Sequence, residues 1–371
     1  MNRSNVTTLV FVAVSLAVAG QVCGDSRPEI FGYEAWHQAI QELDVDPTEV
    51  VYPFQVSEEM EAWAAEKLQG FQSQSPEIKL EILQRSFFDP GEFEFEYDVV
   101  RTFTAEEAFE ARHGNCMSFT SLFIALSRSQ DLDTFLMSVK RQPEVIRDGG
   151  LVVVNRHVVA GYRSPSKIHI FDFYVTDSSP HITQRVLDDL EASAIYHTNI
   201  GGAAIREGDL QEAVRNLEIA VALAPRWAPA WINLGVANTR LDRIDEAFFA
   251  LERALEIEPG NSSALVNLAK IYQEQGRAEE AETAMRAAAE STRNPFTLIA
   301  MADVEMMRGD LDQARQYLRR ARWWYGREPE VYNALARLER LEGDEEKAAK
   351  HLRRAAELFD QRRRETEERA E

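Results

Sequence analysis

The second half of the chain repeats one pattern of small, large and break-forming positions. Gly208, Asp242, Gly276, Gly309 and Gly343 are spaced by 34, 34, 33 and 34 residues. Each is followed by an alanine after five residues, a leucine or methionine after nine and an alanine after twelve: Ala213, Leu217, Ala220; Ala247, Leu251, Ala254; Ala281, Met285, Ala288; Ala314, Leu318, Ala321; Ala348, Leu352, Ala355. Small residues at fixed positions let two helices cross closely, and a break separates each pair from the next. The pattern predicts five stacked helix pairs.

This repeat resembles the tetratricopeptide repeat (TPR), because Trp231, Leu234 and Gly235 match its first-helix signature in the second unit. The resemblance implies an all-α, right-handed TPR solenoid of five repeats over residues 194–358, followed by a charged tail over 359–371. It also implies that the first helix of each pair lines a concave groove, which takes a protein or peptide partner.

Five cations fall at the groove positions of the repeat, in a chain whose net charge is −21. They are Arg206, Arg240, Lys270, Arg337 and Arg340, against the acids Glu274, Asp303 and Glu330. One interpretation is that the groove captures an acidic segment or a chain terminus. The alternative is that these are solvated ends of long side chains whose stems are packed.

The first half has a different pattern, in which helical spacing gives way to strand-like runs. "EEMEAWAAEKLQGF" and "EIKLEILQRSFF" have helical spacing, and "FEFEYD" alternates with a period of two. A capping box from Thr104 to Glu107 predicts a short helix that stops at Gly114, and an apolar helix follows from Cys116 to Arg128. Three strand-like runs come next: "TFLMSVKR", "LVVVNRHVVAGYR" and "KIHIFDFYV". This order predicts an α+β domain over residues 27–190.

The N-terminus has the pattern of an export signal over residues 1–22. Arg3 supplies the positive start, and the uncharged run from Val6 to Val22 is short for a spanning helix. Two interpretations stay open: cleavage after Ala19 by ordinary signal peptidase, or lipidation of Cys23 and a membrane tether. Both predict an exported protein, periplasmic or lipid-anchored.

The charge of the chain, from 62 acidic and 41 basic side chains, argues against nucleic-acid binding, because such a surface repels phosphate backbones. No Cys and His cluster has the spacing of a metal site. We therefore expect neither a nucleic-acid partner nor a metal or other cofactor.

The chemistry of the chain points to Cys116. A helix N-terminus stabilises a thiolate, and a nucleophilic thiol also needs a base and a group that orients the base. His157 and Asp172 lie on neighbouring predicted strands. If residues 163–166 form the hairpin loop, Tyr162 faces Lys167 and His157 lies directly opposite Asp172, within reach of a hydrogen bond.

The order Cys116, His157, Asp172 resembles the transglutaminase-like core of the papain-type cysteine enzymes. The matching stretches are "RHGNCMSFTSLFIALSRSQDL", "NRHVVAGY" and "IHIFDFY". The resemblance implies that the cysteine attacks an acyl group, the histidine moves protons and the aspartate orients the histidine. Amide hydrolysis and transamidation are both compatible with these roles. The rival hypothesis is a TPR interaction or scaffold protein that carries an inactive transglutaminase-like domain.

Overall fold

The computed structural model describes residues 31–88, 93–98, 101–139, 144–148, 151–155, 157–172, 184–291 and 295–367. The predicted export signal and Cys23 lie outside the described residues. Within the described part of the chain, no helix is both long enough and apolar enough to cross a membrane.

The N-terminal half contains five helices and eight strands among its described residues. The helices are α1 (Tyr33–Ile40), α2 (Glu58–Lys67), α3 (Pro76–Ser86), α4 (Ala105–Ala111) and α5 (Cys116–Arg128). The strands are β1 (Glu96–Tyr97), β2 (His113–Gly114), β3 (Thr134–Val139), β4 (Glu144–Asp148), β5 (Leu151–Asn155), β6 (Val158–Arg163), β7 (Ile168–Phe171) and β8 (Gln184–Leu187).

Helix α5 is the centre of the N-terminal core. All side chains from Met117 to Ser127 are buried, because α2, α3 and α4 pack on one side of it and strands β3 and β6 on the other. The strands belong to an antiparallel four-stranded sheet in the order β7-β6-β3-β8. The sheet thus carries the segments that reach the N-terminal end of α5.

Two expectations about single elements need correction. The capping box at Thr104 and Glu107 is present, but α4 ends at Ala111 because Arg112 adopts a left-handed conformation, with a φ of 57°. The predicted helix end at Gly114 is therefore wrong, and Gly114 instead lies in β2, which pairs with β1.

The run Leu151–Arg163 is two strands rather than one. Strand β5 pairs with β4 in a separate hairpin, whereas β6 pairs with β3 and β7. The four-stranded sheet therefore does not include β5. This strand lies against the solenoid instead, where the backbone of Val154 forms hydrogen bonds with the side chain of Asn233.

The second half is the predicted stack of five helix pairs, so the predicted all-α solenoid is confirmed. The pairs are α6 (Asp189–Glu207) with α7 (Leu210–Leu223), α8 (Ala228–Arg240) with α9 (Ile244–Ile257), α10 (Ser262–Glu274) with α11 (Ala278–Ser291), α12 (Pro295–Arg308) with α13 (Leu311–Trp324), and α14 (Pro329–Leu341) with α15 (Glu345–Glu367). In the first two pairs the helices approach so closely that a Cβ at Gly201 or Gly235 would lie 2.6 Å from the Cγ of Leu217 or Leu251. Helix α6 begins five residues before the expected start of the repeats, and α15 continues into the expected tail.

The two halves pack against each other through a shared hydrophobic cluster. Helices α6 and α7 contribute Leu190, Ile195 and Leu223 to the cluster that surrounds α5. A buried ion pair joins the same elements, because Arg128 at the end of α5 donates two hydrogen bonds, of 2.8 and 3.0 Å, to the carboxylate of Asp189 at the start of α6. The solenoid is therefore packed onto the domain that carries Cys116.

Candidate functional site

The N-terminus of α5 is held by the residue that precedes the cysteine. Asn115 is the N-cap, and its Oδ1 accepts hydrogen bonds from the N–H groups of Met117 (3.0 Å) and Ser118 (3.1 Å). Its Nδ2 donates to the Oγ1 of Thr102 at 2.6 Å. Cys116 is thereby fixed at the first position of the helix, half-buried and with a free thiol.

The glycine before Asn115 is required by a close approach. A Cβ at Gly114 would lie 2.4 Å from the Cβ of Ser118, and the Oγ of Ser118 accepts a 2.8 Å hydrogen bond from the N–H of Phe103. A larger residue would displace the first turn of α5. The sequence Gly114-Asn115-Cys116 is thus explained by the space and the cap that the helix start needs.

His157 and Asp172 form the predicted imidazole–carboxylate pair. The Nε2 of His157 lies 3.0 and 3.1 Å from the two carboxylate oxygens, and each side chain is 11% exposed. Both residues stand just outside strands: His157 precedes β6 and Asp172 follows β7. The carbonyl of His157 accepts from the N–H of Val139, and that of Asp172 from the Nε2 of Gln84.

The hairpin register differs from the predicted one by two residues. Tyr162 pairs with His169 and not with Lys167. The turn is tighter than expected, since the N–H of Ser164 donates to the carbonyl of Lys167 at 2.9 Å. A register shift of two residues leaves every side chain on its original face of the sheet. His157 and Asp172 therefore meet as a diagonal pair instead of a directly opposed one.

The thiol and the imidazole are neighbours because α5 lies along β6. The Oγ1 of Thr120, one turn after Cys116 on the same helix face, lies 3.4 Å from the carbonyl oxygen of Val158. Burial of the His157 imidazole disfavours its charged form, but hydrogen bonds to Asp172 and to Cys116 outweigh it and raise the pKa of His157 to about 10. Asp172 bonds Nε2, so Nδ1 is the ring nitrogen of His157 that does not contact this carboxylate.

Two other histidines have separate roles. His197 is buried and joins two helices, since its Nε2 accepts from the N–H of Val51 and its Nδ1 bonds the Oδ1 of Asn216. His169 lies 3.9 Å from Glu77 at the edge of the sheet. No group of three or more potential metal ligands comes together within the described ranges.

The five groove cations differ in their contacts. Four of them have partners inside the chain: Arg240 with the carbonyl of Ile205, Lys270 with Glu274, Arg337 with Asp303, and Arg340 with Glu345. Arg206 differs, because its Nη1 is buried and has no hydrogen-bond partner among the described residues. Their proposed role in binding a partner stays a prediction.

Sequence reasoning missed Asn233. Its Oδ1 accepts from the N–H of Val154 at 2.9 Å, and its Nδ2 donates to the carbonyl of the same residue at 3.2 Å. A signal was available, since Asn199, Asn233 and Asn267 recur at the same repeat position, 34 residues apart, and all three are buried. A buried amide on a helix needs a polar partner, which β5 supplies to Asn233.

Comparison with protein families gives matches within the second half of the chain. Residues 198–262, 240–300 and 295–320 each match a family model described as tetratricopeptide repeat. The chain therefore carries tetratricopeptide repeats. These matches lie in the solenoid, so the transglutaminase-like resemblance of the first half stays a prediction. A comparison with curated proteins finds no match.

Solved structures of several proteins are similar to part of the chain. A MamA structure from Desulfovibrio magneticus RS-1 is 17% identical with a TM-score of 0.35, and covers 45% of this chain and 96% of its own. PilF of Pseudomonas aeruginosa is 21% identical with a TM-score of 0.40, and covers 46% and 78%. YrrB, described as a TPR protein with an unusual peptide-binding site, is 17% identical with a TM-score of 0.33, and covers 44% and 86%.

Proposed function

We propose that the protein is a TPR scaffold whose N-terminal α+β domain transfers acyl groups from an amide through a thioester on Cys116. The observation that carries this proposal is the short contact of His157 with both oxygens of Asp172, beside a thiol at a helix N-terminus. A nucleophile, a base and an orienting carboxylate in this order are what covalent acyl transfer needs.

In the proposed reaction the thiolate sulfur of Cys116 attacks the acyl carbon of an amide. His157, held protonated by its partners, donates its proton to the leaving amine as the C–N bond breaks, and a thioester remains. A water molecule or a second amine then attacks the thioester while His157 accepts its proton. The C–S bond breaks, the product leaves, and Cys116 and His157 regain their starting proton inventory.

The proposal is tested by acylation with a p-nitrophenyl ester in a Cys23→Ser background, where Cys116 is the remaining cysteine. We expect a burst of about one p-nitrophenolate per protein and an acyl group on Cys116 by mass spectrometry. His157→Ala should slow the burst about 100-fold, at the lower end of a general acid–base contribution. A His157→Ala burst as fast as that of the parent would contradict the proposal.

We also propose that the solenoid binds a protein or peptide partner beyond the β4–β5 hairpin, along α12 and α14. Arg337 and Arg340 are about half exposed there, with side-chain exposures of 47% and 53%. The carboxylates of an acidic partner segment would be attracted to the guanidinium groups of both arginines. Arg337→Glu with Arg340→Glu should abolish capture of a partner at low salt. Arg354→Glu, an exposed arginine on α15, is the matched control. Capture that survives the first pair of substitutions would contradict an electrostatic contact.

The second candidate function is that of a scaffold with an inactive cysteine domain. It is favoured by the family matches, which lie within residues 198–320. Under this hypothesis the His157–Asp172 pair serves only packing, and the acylation burst is absent.

The N-terminal pattern supports a third element of the proposal, namely export to the periplasm, with or without lipidation of Cys23. Mass spectrometry of the mature N-terminus separates a lipidated Cys23 from a start near Gly20. Retention of residues 1–22 would contradict export.

A further inference from the structure

The first three repeats bind a segment of their own chain. Strand β5 lies against α6, α8 and α10, the first helices of these repeats. Its residues Val153 and Val154 are 0% and 4% exposed, in a cluster with apolar side chains of the solenoid, among them Trp231, Ile232 and Leu268. Strand β5 thus occupies the part of the expected peptide-binding surface that the first three repeats form.

Asn233 holds this strand by its backbone. One residue on a strand edge presents an N–H and a C=O in the same direction, and an amide side chain offers one acceptor and one donor. Asn233 meets Val154 in this way, with contacts of 2.9 and 3.2 Å, and is itself fully buried. Loss of either partner would leave buried polar atoms without a hydrogen bond, so the contact resists rupture.

The held strand is directly connected to the candidate base. Val154 precedes His157 by three residues, so their Cα atoms are at most about 11 Å apart. On its other side His157 is tied to the sheet, because its carbonyl accepts a 3.2 Å hydrogen bond from the N–H of Val139. His157 therefore stands between one anchor in the sheet and one in the solenoid.

We infer that Asn233 is a positioning residue for His157. The two hydrogen bonds from Asn233 to Val154 fix β5 and thereby fix the position of the His157 imidazole relative to Cys116. The solenoid is then a part of the thiol site as well as a scaffold. This inference rests on the proposed thiol chemistry of Cys116. An extended peptide that took the amide of Asn233 would compete with β5 and loosen His157.

The test compares the pH dependence of Cys116 alkylation by iodoacetamide in a Cys23→Ser background, with and without Asn233→Ala. A displaced imidazole no longer favours the thiolate. The alkylation rate at pH 6.5 should therefore fall at least about threefold and the profile should move toward that of an ordinary thiol. Asn333→Ala, on α14 and partly buried, is the matched control and should keep the parent profile.

A second variant approaches the contact from the strand. Val154→Pro removes the N–H that Asn233 accepts and leaves the solenoid side chains unchanged, so it should shift the profile in the same direction. If Asn233→Ala does not fold, Val154→Pro alone tests the positioning role. A parent-like profile in either folded variant overturns the inference.

His157→Ala separates this result from failure of the proposed function. If His157→Ala and the parent differ while Asn233→Ala follows the parent, only the inference fails. If His157→Ala already follows the parent, the proposed function fails, and the positioning role with it.

Discussion

At the scale of single residues, the candidate site depends on the neighbouring groups that hold Cys116, His157 and Asp172 in place. Asn115 holds Cys116 at the helix start through the N–H groups of the next turn. Gln84 holds the backbone carbonyl of Asp172, and both carboxylate oxygens of Asp172 lie within hydrogen-bond distance of His157. Such supporting contacts restrict rotamers and so keep the reacting groups in place.

Asp172→Asn should separate orientation from packing. Asparagine keeps the size of the side chain, and Gln84 bonds the backbone carbonyl, so the fold should be retained. Loss of the carboxylate removes a group that raises the pKa of His157, and acylation of Cys116 should slow about 100-fold. Glu77→Gln, which changes the carboxylate beside His169, is the matched control and should leave the rate unchanged. A misfolded Asp172→Asn protein, or one with the parent rate, would contradict the orienting role.

At the scale of elements, local patterns predicted what local interactions decide. The capping box at Thr104, the start of α5 at Cys116 and the five helix pairs follow from short-range spacing, and all are present. The break before His157 falls at the polar residues 155–157, between two apolar runs that each read as part of one strand. Their spacing did not predict that the first run would bond Asn233 of the solenoid through Val154. The hairpin register was missed because it depends on the turn at Ser164, which closes two residues tighter than expected.

His197 makes the contact between α6 and the N-terminal domain sensitive to acid. Its Nε2 accepts from the N–H of Val51, which a protonated ring cannot do, and burial lowers the pKa of His197 below 6.5. The unfolded chain therefore binds this proton more readily, so stability is present above pH 6.5 and is lost as the pH falls below it.

We expect the free energy of unfolding of the parent to fall by about 1 kcal/mol more than that of His197→Gln between pH 7.5 and 5.5. Denaturant titrations at several pH values measure this difference. His37→Gln, an exposed histidine on α1, is the control and should follow the parent. Parallel curves for His197→Gln and the parent would remove His197 as the acid-sensitive group.

At the scale of the whole molecule, the cysteine domain and the solenoid are built as one body. The first repeat contributes to the core around α5, Arg128 bonds Asp189 across the junction, and β5 lies on the first three repeats. The sequence predicted the five repeats, but the spacing of the repeats did not predict that β5 lies against the first three of them. The recurring asparagines indicated that Asn233 needs a polar partner, but not that this partner is Val154, 79 positions away.

Arg128→Ala should test this junction. Asp189 is 1% exposed and would keep a buried charge without its cation, which costs about 3–5 kcal/mol. Thermal unfolding followed by circular dichroism should show one transition at a lower temperature, because both halves lose support together. Arg253→Ala breaks an exposed pair with Glu256 and should cost under about 1 kcal/mol. Two separate transitions, with the solenoid unaffected, would contradict a shared body.

The central claim is that His157 activates Cys116, and the most direct test is the rate of iodoacetamide alkylation of Cys116 from pH 5 to 10 in the Cys23→Ser background. With His157 protonated beside it, the thiol should react at a nearly constant rate well below pH 8.5, the region where an ordinary thiol ionises. His157→Ala should lose this low-pH reactivity and follow an ordinary thiol. Identical profiles for the parent and His157→Ala would contradict the account.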